Sequence, residues 1–312
     1  MKKILLATAA LSAMTGYAAA EVTVTGSARM GLVYDGSDTF LTSRVRVKFE
    51  MMGTTDGGLE FGASVRADQN GGNGFNVITV TDSGADGISG NADDIVTDIS
   101  VSGNSGDTNN DSTVYIKGAF GKLTFGDNDS AANALVGHVS GVGLTGLGDW
   151  NELRYLGQTD TSALYEYSSG ALTFAASTSQ LTAGDDAMSL AAKYSTDAFS
   201  VALGWEDASN ITHIALGGSA TFGAATLKAV ISDTDIKGDD TQFALSIDYV
   251  AGAGTYTAFV TEEGEVNNFG LGAAYDLGGG ATVKAGVVNV DGDNFADGKS
   301  ETLADIGISM SF

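Results

Sequence analysis

The sequence predicts an all-β fold, namely a 16-stranded antiparallel transmembrane β-barrel with a long loop folded into the lumen. Three observations carry this prediction. The C-terminal segment 302–312 alternates strictly, with Ile306, Ile308, Met310 and Phe312 on one face. Similar alternating segments of about ten residues, the length of a tilted membrane strand, recur along the chain. The chain also contains no proline, which would interrupt the hydrogen-bonded ladder of a closed sheet.

The last segment is the strongest of these observations. Gly307, Ser309 and Ser311 share its second face, so one side of the strand is apolar and the other is small and polar. In a bilayer, a sheet leaves no backbone group unpaired only if its last strand pairs with its first. An apolar strand that ends on an aromatic residue therefore indicates closure of a barrel.

The N-terminus has the three-part pattern of a secretory signal peptide. Lys2 and Lys3 precede the apolar run Ile4 to Ala13, and Ala18-Ala19-Ala20 offers a cleavage site. We expect residues 1–20 to be removed and residues 21–312 to form the barrel domain. The alternative, a buried N-terminal helix, fits the pattern less well.

Charge and composition exclude several classes. The formal net charge is −24, which argues against nucleic acid as a partner and would concentrate cations near any opening. The chain has no cysteine, so no disulfide staples the fold. After residue 20 there is no apolar run long enough for a transmembrane helix.

The first three predicted strands, 21–34, 40–52 and 59–68, carry a cluster of basic residues on their polar faces. We predict that Arg29, Arg44, Arg46, Lys48 and Arg66 line the lumen, because a charge facing lipid costs about 2–4 kcal/mol at the midplane. Further lumen-facing bases are Lys117, Lys122, Lys193, Lys228 and Lys284. The alternative is that these bases pair with Glu50, Glu60 and Asp68 to hold the wall, and both roles can hold at once.

Thirteen further strands are expected, and their connections divide into two kinds. One set is tight, for example Gly223-Ala224 and Gly252-Ala253-Gly254, and the alternate set is longer and acidic, for example 233–240 and 291–300. The expected strands lie near 112–119, 121–127, 162–169, 171–180, 187–195, 199–207, 211–220, 224–232, 241–250, 254–262, 267–276, 281–290 and 302–312.

Two segments interrupt the alternation. Residues 69–111 are rich in aspartate and contain two alternating stretches, 76–81 and 95–101, which we interpret as a hairpin in a long acidic external loop. Its carboxylates could hold a structural Ca²⁺, but the calcium-loop pattern ending in glutamate is absent, which favours a solvated loop.

The second interruption, 128–161, is glycine-rich and lacks long alternation. A loop of this length is usually functional, and we predict that it enters the lumen and constricts it. It would bring Asp129, Asp149 and Glu152 to the constriction as acidic groups. An external cap is the alternative.

Several stretches resemble the general porins of photosynthetic and related alphaproteobacteria (the Rhodobacter type). They are 21–31, 43–47, 53–64, 118–122 and 270–280, which outline the mature chain. The resemblance implies a homotrimer in the bacterial outer membrane, in contact with its lipid, with a water-filled pore in each subunit. It also implies a third external loop that narrows the pore with acidic groups opposite a basic wall. Segment 69–111 is longer than the family pattern.

The implied function is passive diffusion of small hydrophilic solutes and ions without a cofactor. We expect weak cation selectivity overall, because the net charge favours cations while the basic wall favours anions. An enzymatic barrel is disfavoured, since His138 and His213 are the only histidines and no nucleophile motif accompanies them. A structural or adhesive barrel without an open pore is the remaining alternative.

Overall fold

The structure of the protein is a computed structural model that describes residues 21–71, 74–82, 95–103, 112–157, 162–180, 186–237, 239–295 and 298–312. The expected signal peptide and the side chains of segment 69–111 lie outside the described part of the chain.

The described residues are almost entirely strands. The first half contains Glu21–Tyr34 (β1), Thr39–Thr54 (β2), Glu60–Gly71 (β3), Gly74–Asp82 (β4), Ile95–Gly103 (β5), Ser112–Gly118 (β6), Gly121–Gly126 (β7), Ser162–Ser169 (β8) and Leu172–Gln180 (β9). The second half contains Asp186–Ser195 (β10), Phe199–Ala208 (β11), Ile211–Phe222 (β12), Ala225–Thr234 (β13), Gln242–Ala251 (β14), Gly254–Glu263 (β15), Val266–Gly278 (β16), Ala281–Val290 (β17) and Glu301–Ser311 (β18). Helical turns occur at Ala131–Val136 (α1) and Gly292–Asn294.

Sixteen of the described strands close into one antiparallel barrel, which confirms the predicted fold class. Closure is made by β1 and β18, whose register runs from Ser27 opposite Ser311 to Tyr34 opposite Ala304. The remaining two strands, β4 and β5, pair with each other as a separate antiparallel hairpin. This hairpin contains the two alternating stretches, 76–81 and 95–101, of the acidic segment.

The outer surface of the barrel is apolar. Large side chains such as Met30, Leu41 and Leu271 are exposed there, with 77 % of Leu41 accessible. Exposing so much apolar area to water would be costly, at about 25 cal/mol per Å², whereas lipid solvates it. Among the described residues, no helix has the length and apolar character to cross a membrane.

The two ends of the barrel differ. At the short-turn end, the connections are 55–59, 119–120, 170–171, 196–198, 223–224, 252–253 and 279–280. The opposite end, here called the long-loop end, carries 127–161, 235–241 and 291–300. The expectation that the connections at this end are longer is wrong for three of them, one of which is the four-residue connection 35–38. Ser209-Asn210 and Gly264-Glu265 are two-residue turns, and Ser209 (φ 54°) and Asn210 (φ 64°) adopt the left-handed conformation of a tight hairpin.

The buried apolar clusters lie inside the barrel, between its wall and the segment 127–157. One cluster joins Val139, Val142, Leu147 and Leu153 of this segment to inward side chains of the wall such as Phe259 and Val288. A second joins Ala131 and Leu135 to Leu164, Ala175 and Ala191. Full burial of each leucine stabilises this packing by about 1.5–3 kcal/mol. We call 127–157 the inner loop.

Candidate functional site

The inner loop follows the barrel wall, because inward hydroxyl and carboxylate groups accept hydrogen bonds from its backbone. At the start of α1, the N–H groups of Ala131 and Ala132 donate to Ser177 Oγ and Ser189 Oγ at 2.8 and 2.9 Å. Further along, Ser140 N–H donates to Ser246 Oγ at 3.0 Å. Through these contacts the inner loop follows the barrel wall from β9 to β14.

Asp305 on β18 holds the farthest part of the inner loop. Its carboxylate accepts from the N–H of Leu144 at 2.9 Å and from both the N–H and the hydroxyl of Thr145 at 2.7 Å. Arg29 on β1 approaches the same residues from the other side, with Nη1 3.5 Å from the carbonyl oxygens of Leu144 and Thr145. Opposite charges on adjacent strands therefore clamp one short stretch of loop.

The loop then returns along the same half of the wall. Thr261 Oγ1 donates to the carbonyl of Trp150, Arg154 N–H donates to Gln242 Oε1, and Leu156 N–H donates to Glu206 Oε2. Glu206 also lies 2.8 Å from His213 Nδ1. The inner loop thus lies against β9 to β18, and the wall of β2, β3 and β6 faces it across the lumen.

The gap between this wall and the beginning of the inner loop is a polar cavity of about 520 Å³. The wall contributes basic side chains and hydroxyls, and the loop side contributes two carboxylates. Its lining residues are Arg46, Lys48, Ser64, Arg66, Thr113, Asp127 and Asp129. We call this cavity the constriction, and we call the side of the barrel formed by β2, β3 and β6 the basic wall.

Carboxylates on the same wall fix three of the predicted bases. Arg46 binds Asp68 through two parallel hydrogen bonds, with Nε 2.9 Å and Nη2 2.7 Å from its oxygens. Arg66 Nε donates to the same carboxylate at 2.9 Å, and Lys48 Nζ lies 2.7 Å from Glu50. These three bases therefore pair with carboxylates of the wall, as the alternative interpretation of the sequence expects. Their side chains remain partly exposed to the cavity.

The other two predicted bases differ. Arg29 is held by the inner loop. Arg44 interacts electrostatically with three arginines and one carboxylate, namely Arg29, Arg46, Arg66 and Asp68. Within the described residues Arg44 forms no ion pair. A cluster of like charges is stable only where water or counter-charge compensates it, and an aqueous lumen supplies both.

The predicted acidic residues fall into two groups. Asp129 faces the basic wall across the constriction, and Asp149 interacts electrostatically with Arg29. Glu152 instead lies 3.7 Å from His138 Nε2 within the inner loop. The structure therefore brings Asp129 to the basic wall, places Asp149 near Arg29 on β1, and places Glu152 elsewhere.

Sequence reasoning missed three carboxylates that shape the site: Asp127, Asp305 and Glu206. Asp305 could have been found, because it continues the small, polar face of Gly307, Ser309 and Ser311 yet carries a charge. Nothing local in the sequence pairs Glu206 or Asp305 with the backbone of a loop far away along the chain.

Both histidines support the inner loop. The Tyr155 ring packs edge-on against His138 and His213, at centroid distances of 5.3 and 5.4 Å. Burial raises the pKa of the Tyr155 phenol well above its ordinary value, so its hydroxyl stays protonated and donates to the Gly137 carbonyl at 2.8 Å. His213 is buried against Glu206, which suits an anchor and not a group that meets solutes.

Arg154 fastens the end of the inner loop to the end of β15 and to the connection that follows β13. It pairs with Glu263 and, at 3.3 Å, with Asp239. The hydrogen bond from the Thr234 hydroxyl, with a further contribution from Arg154, lowers the pKa of Asp239. Among the described residues, no group of three or more potential metal ligands comes together.

A closed barrel with an apolar exterior and a charged, loop-narrowed lumen defines the class of membrane-spanning channel proteins. The family model for Gram-negative porins matches residues 7–295. The chain belongs to this porin family, and its location is the outer membrane.

Individual relatives agree with this assignment. The chain is similar to a porin of Rhodobacter capsulatus, with 32% identity over 94% of this chain and 100% of the relative. It is also similar to a porin of Fuscovulum blasticum, with 26% identity over 79% of this chain and 96% of the relative. A porin structure refined at 1.8 Å resolution matches with a TM-score of 0.73 and 32% identity, over 94% of this chain and 100% of that one.

Proposed function

We propose that the protein forms a water-filled channel for passive diffusion of small hydrophilic solutes and ions across the outer membrane. One observation carries this proposal: the inner loop lies against one half of the wall and leaves a polar gap of about 520 Å³ beside the basic wall. Passive diffusion needs no cofactor, because the solute gradient drives it. The width of the gap and the charges around it would decide which solutes pass.

We propose further that the basic wall and the facing carboxylates act as the selectivity site, and that selectivity is weak. Asp127 and Asp129 face Arg46, Lys48 and Arg66, so the constriction carries charge of both signs. The chain as a whole has a net charge of −24, which enriches cations at the openings. The combination favours a slight overall preference for cations.

We propose the following for the oligomeric state, the lack of enzymatic activity and the acidic segment. The channel is a homotrimer, as its resemblance to general porins implies. It has no enzymatic activity, since His138 and His213 are engaged in holding the inner loop. Segment 69–111 is a solvated acidic external loop and not a Ca²⁺ site.

Single-channel recording in a planar bilayer with a salt gradient tests the proposal. We expect a large and steady conductance that rises in groups of three equal steps as the protein inserts. The reversal potential should indicate a slight preference for cations. Folded protein that inserts but conducts no ions would contradict the channel and would favour a structural or adhesive barrel. A single step per insertion would contradict the trimer alone.

A further inference from the structure

A second basic cavity lies between the inner loop and the wall, away from the constriction. It has a volume of about 240 Å³ and lies under the end of α1, where residues 134–138 form its roof. Lys193 on β10 and Lys228 on β13 both reach it. Around the barrel, β10 to β13 lie roughly opposite β2, so this cavity and the basic cluster occupy different walls.

The two lysines have no carboxylate partner within the part of the chain that the structure describes. Asp248 on β14 lies near Lys228, because it is two residues from Ser246, the residue opposite Lys228 in the strand pairing. The Asp248 oxygens, however, accept from the hydroxyls of Ser140 and Thr257, each at 2.6 Å. Two ammonium groups that share a half-enclosed cavity repel each other unless water or an anion compensates them.

Two hydroxyl groups in the lining of the cavity suit an oxyanion. Ser200 and Ser219 are paired at 2.9 Å, and the hydroxyl that accepts in this pair keeps its own hydrogen to donate to a ligand. Gly217 and Gly218 also line the cavity, and the Val136 side chain packs over Gly217. Lysine binds phosphate as a compact point charge on a flexible stem, which allows both ammonium groups to converge on one ligand.

The position of the cavity gives such a site access to the solute path. Lys193 and Lys228 are close to the short turns 196–198 and 223–224, on the short-turn side of the inner loop. A solute that has passed the constriction enters this half of the lumen. The site would therefore be filled from the lumen, and lipid has no route to it.

We propose that Lys193, Lys228, Ser200 and Ser219 form a binding site for an oxyanion, a phosphate or carboxylate group, on the short-turn side of the inner loop. The proposal rests on the proposed channel function for its biological role, but binding itself does not depend on conduction. In a weakly selective channel, the site would retain anionic solutes briefly as they pass.

Binding of inorganic phosphate to the detergent-solubilised protein at pH 7 tests the site, with ³¹P line broadening as the readout. We expect saturable broadening for the wild type and at least about tenfold weaker binding for the double variant K193Q/K228Q. The loss of one charge-assisted hydrogen bond already corresponds to roughly that factor. The conservative variant K193R/K228R retains binding.

The matched control is K117Q/K122Q, which removes the same two charges from another wall of the lumen. It should bind phosphate like the wild type. Unchanged binding by K193Q/K228Q, or an equal loss in the control, would overturn the proposal, because phosphate would then be responding to other sites or to the overall charge. Conductance in KCl is recorded for every variant, so failure of the channel function is seen separately.

Discussion

Arg46 and Asp68 show how one side chain serves both the wall and the lumen. Their two parallel hydrogen bonds fix the guanidinium, while nearly a third of the Arg46 side chain stays accessible. A fixed charge beside a water-filled gap influences passing ions without having to reorganise. The sequence predicts that Arg46 faces inward, since lipid excludes it, but it leaves open which carboxylate binds it.

Arg44 offers the cleanest test of the basic wall, because its loss leaves no described carboxylate without a partner. We predict that Arg44→Gln shifts the reversal potential towards cation selectivity by about twofold in permeability ratio. One unit charge at roughly 8 Å in water is worth about 0.5 kcal/mol. The control Lys237→Gln removes a charge from the exposed connection 235–241 and should leave the ratio unchanged. An equal shift in the control would contradict a local effect.

Asp305 is the residue on which the far part of the inner loop depends most. We predict that Asp305→Asn loosens residues 143–147, because hydrogen bonds to a charged acceptor contribute about 1.5–3 kcal/mol each and the amide retains only one acceptor atom. Hydrogen exchange at the Leu144 and Thr145 amides should accelerate, and the open-channel current should become noisier. Asp276→Asn, which alters a carboxylate at a short turn, is the control. Unchanged exchange in Asp305→Asn would refute the clamp.

The elements of the wall were predictable and the path of the inner loop was not. A strand in a bilayer must present apolar side chains outward, so a period of two fixes both the strand and its face. The loop has no such constraint. Its path depends on backbone N–H groups that meet Ser177, Ser189, Ser246 and Asp305 on separate strands. For the same reason, Glu152 was assigned to the constriction but lies beside His138.

The contact between α1 and β11 gives a direct test of this path. A Cβ atom built at Gly204 lies 2.6 Å from the Cβ of Ala132, whereas disulfides need about 3.8 Å, so a shift of about 1 Å permits a bond. We predict that the pair A132C/G204C oxidises spontaneously, as read from a maleimide gel shift. The chain has no native cysteine to interfere. The pair A132C/G252C, which involves a short turn, should stay reduced, and equal oxidation of both pairs would contradict the packing.

The whole molecule follows from the exclusion of charge and unpaired backbone from lipid. That constraint explains why closure, strand number and the inward placement of the bases are readable from the sequence. The constraint does not apply inside the barrel, because water there satisfies polar groups and many arrangements of the inner loop are possible. The turns at Ser209-Asn210 and Gly264-Glu265 are each one or two residues shorter than predicted, because the flanking strands extend one residue further than their expected bounds.

The same constraint predicts how the barrel responds to a charge on its outer surface. Leu271, in the middle of β16, is 56% exposed, and Leu172, the first residue of β9, is 42% exposed. We predict that Leu271→Arg lowers the free energy of unfolding in lipid vesicles by about 2–4 kcal/mol and Leu172→Arg by about 0–1 kcal/mol, because the cost depends on depth. Urea titration measures both. Equal costs would contradict the placement of Leu271 at the membrane centre.

The central claim is that ions pass through the gap between the basic wall and the inner loop. Thr113 lines that gap, and the next residue, Val114, lies on the outer surface. The most direct test records the conductance of Thr113→Cys and Val114→Cys before and after a bulky, water-soluble thiol reagent. We predict a clear fall for Thr113→Cys and none for Val114→Cys. Full labelling of Thr113→Cys without a fall in conductance would place the ion path elsewhere.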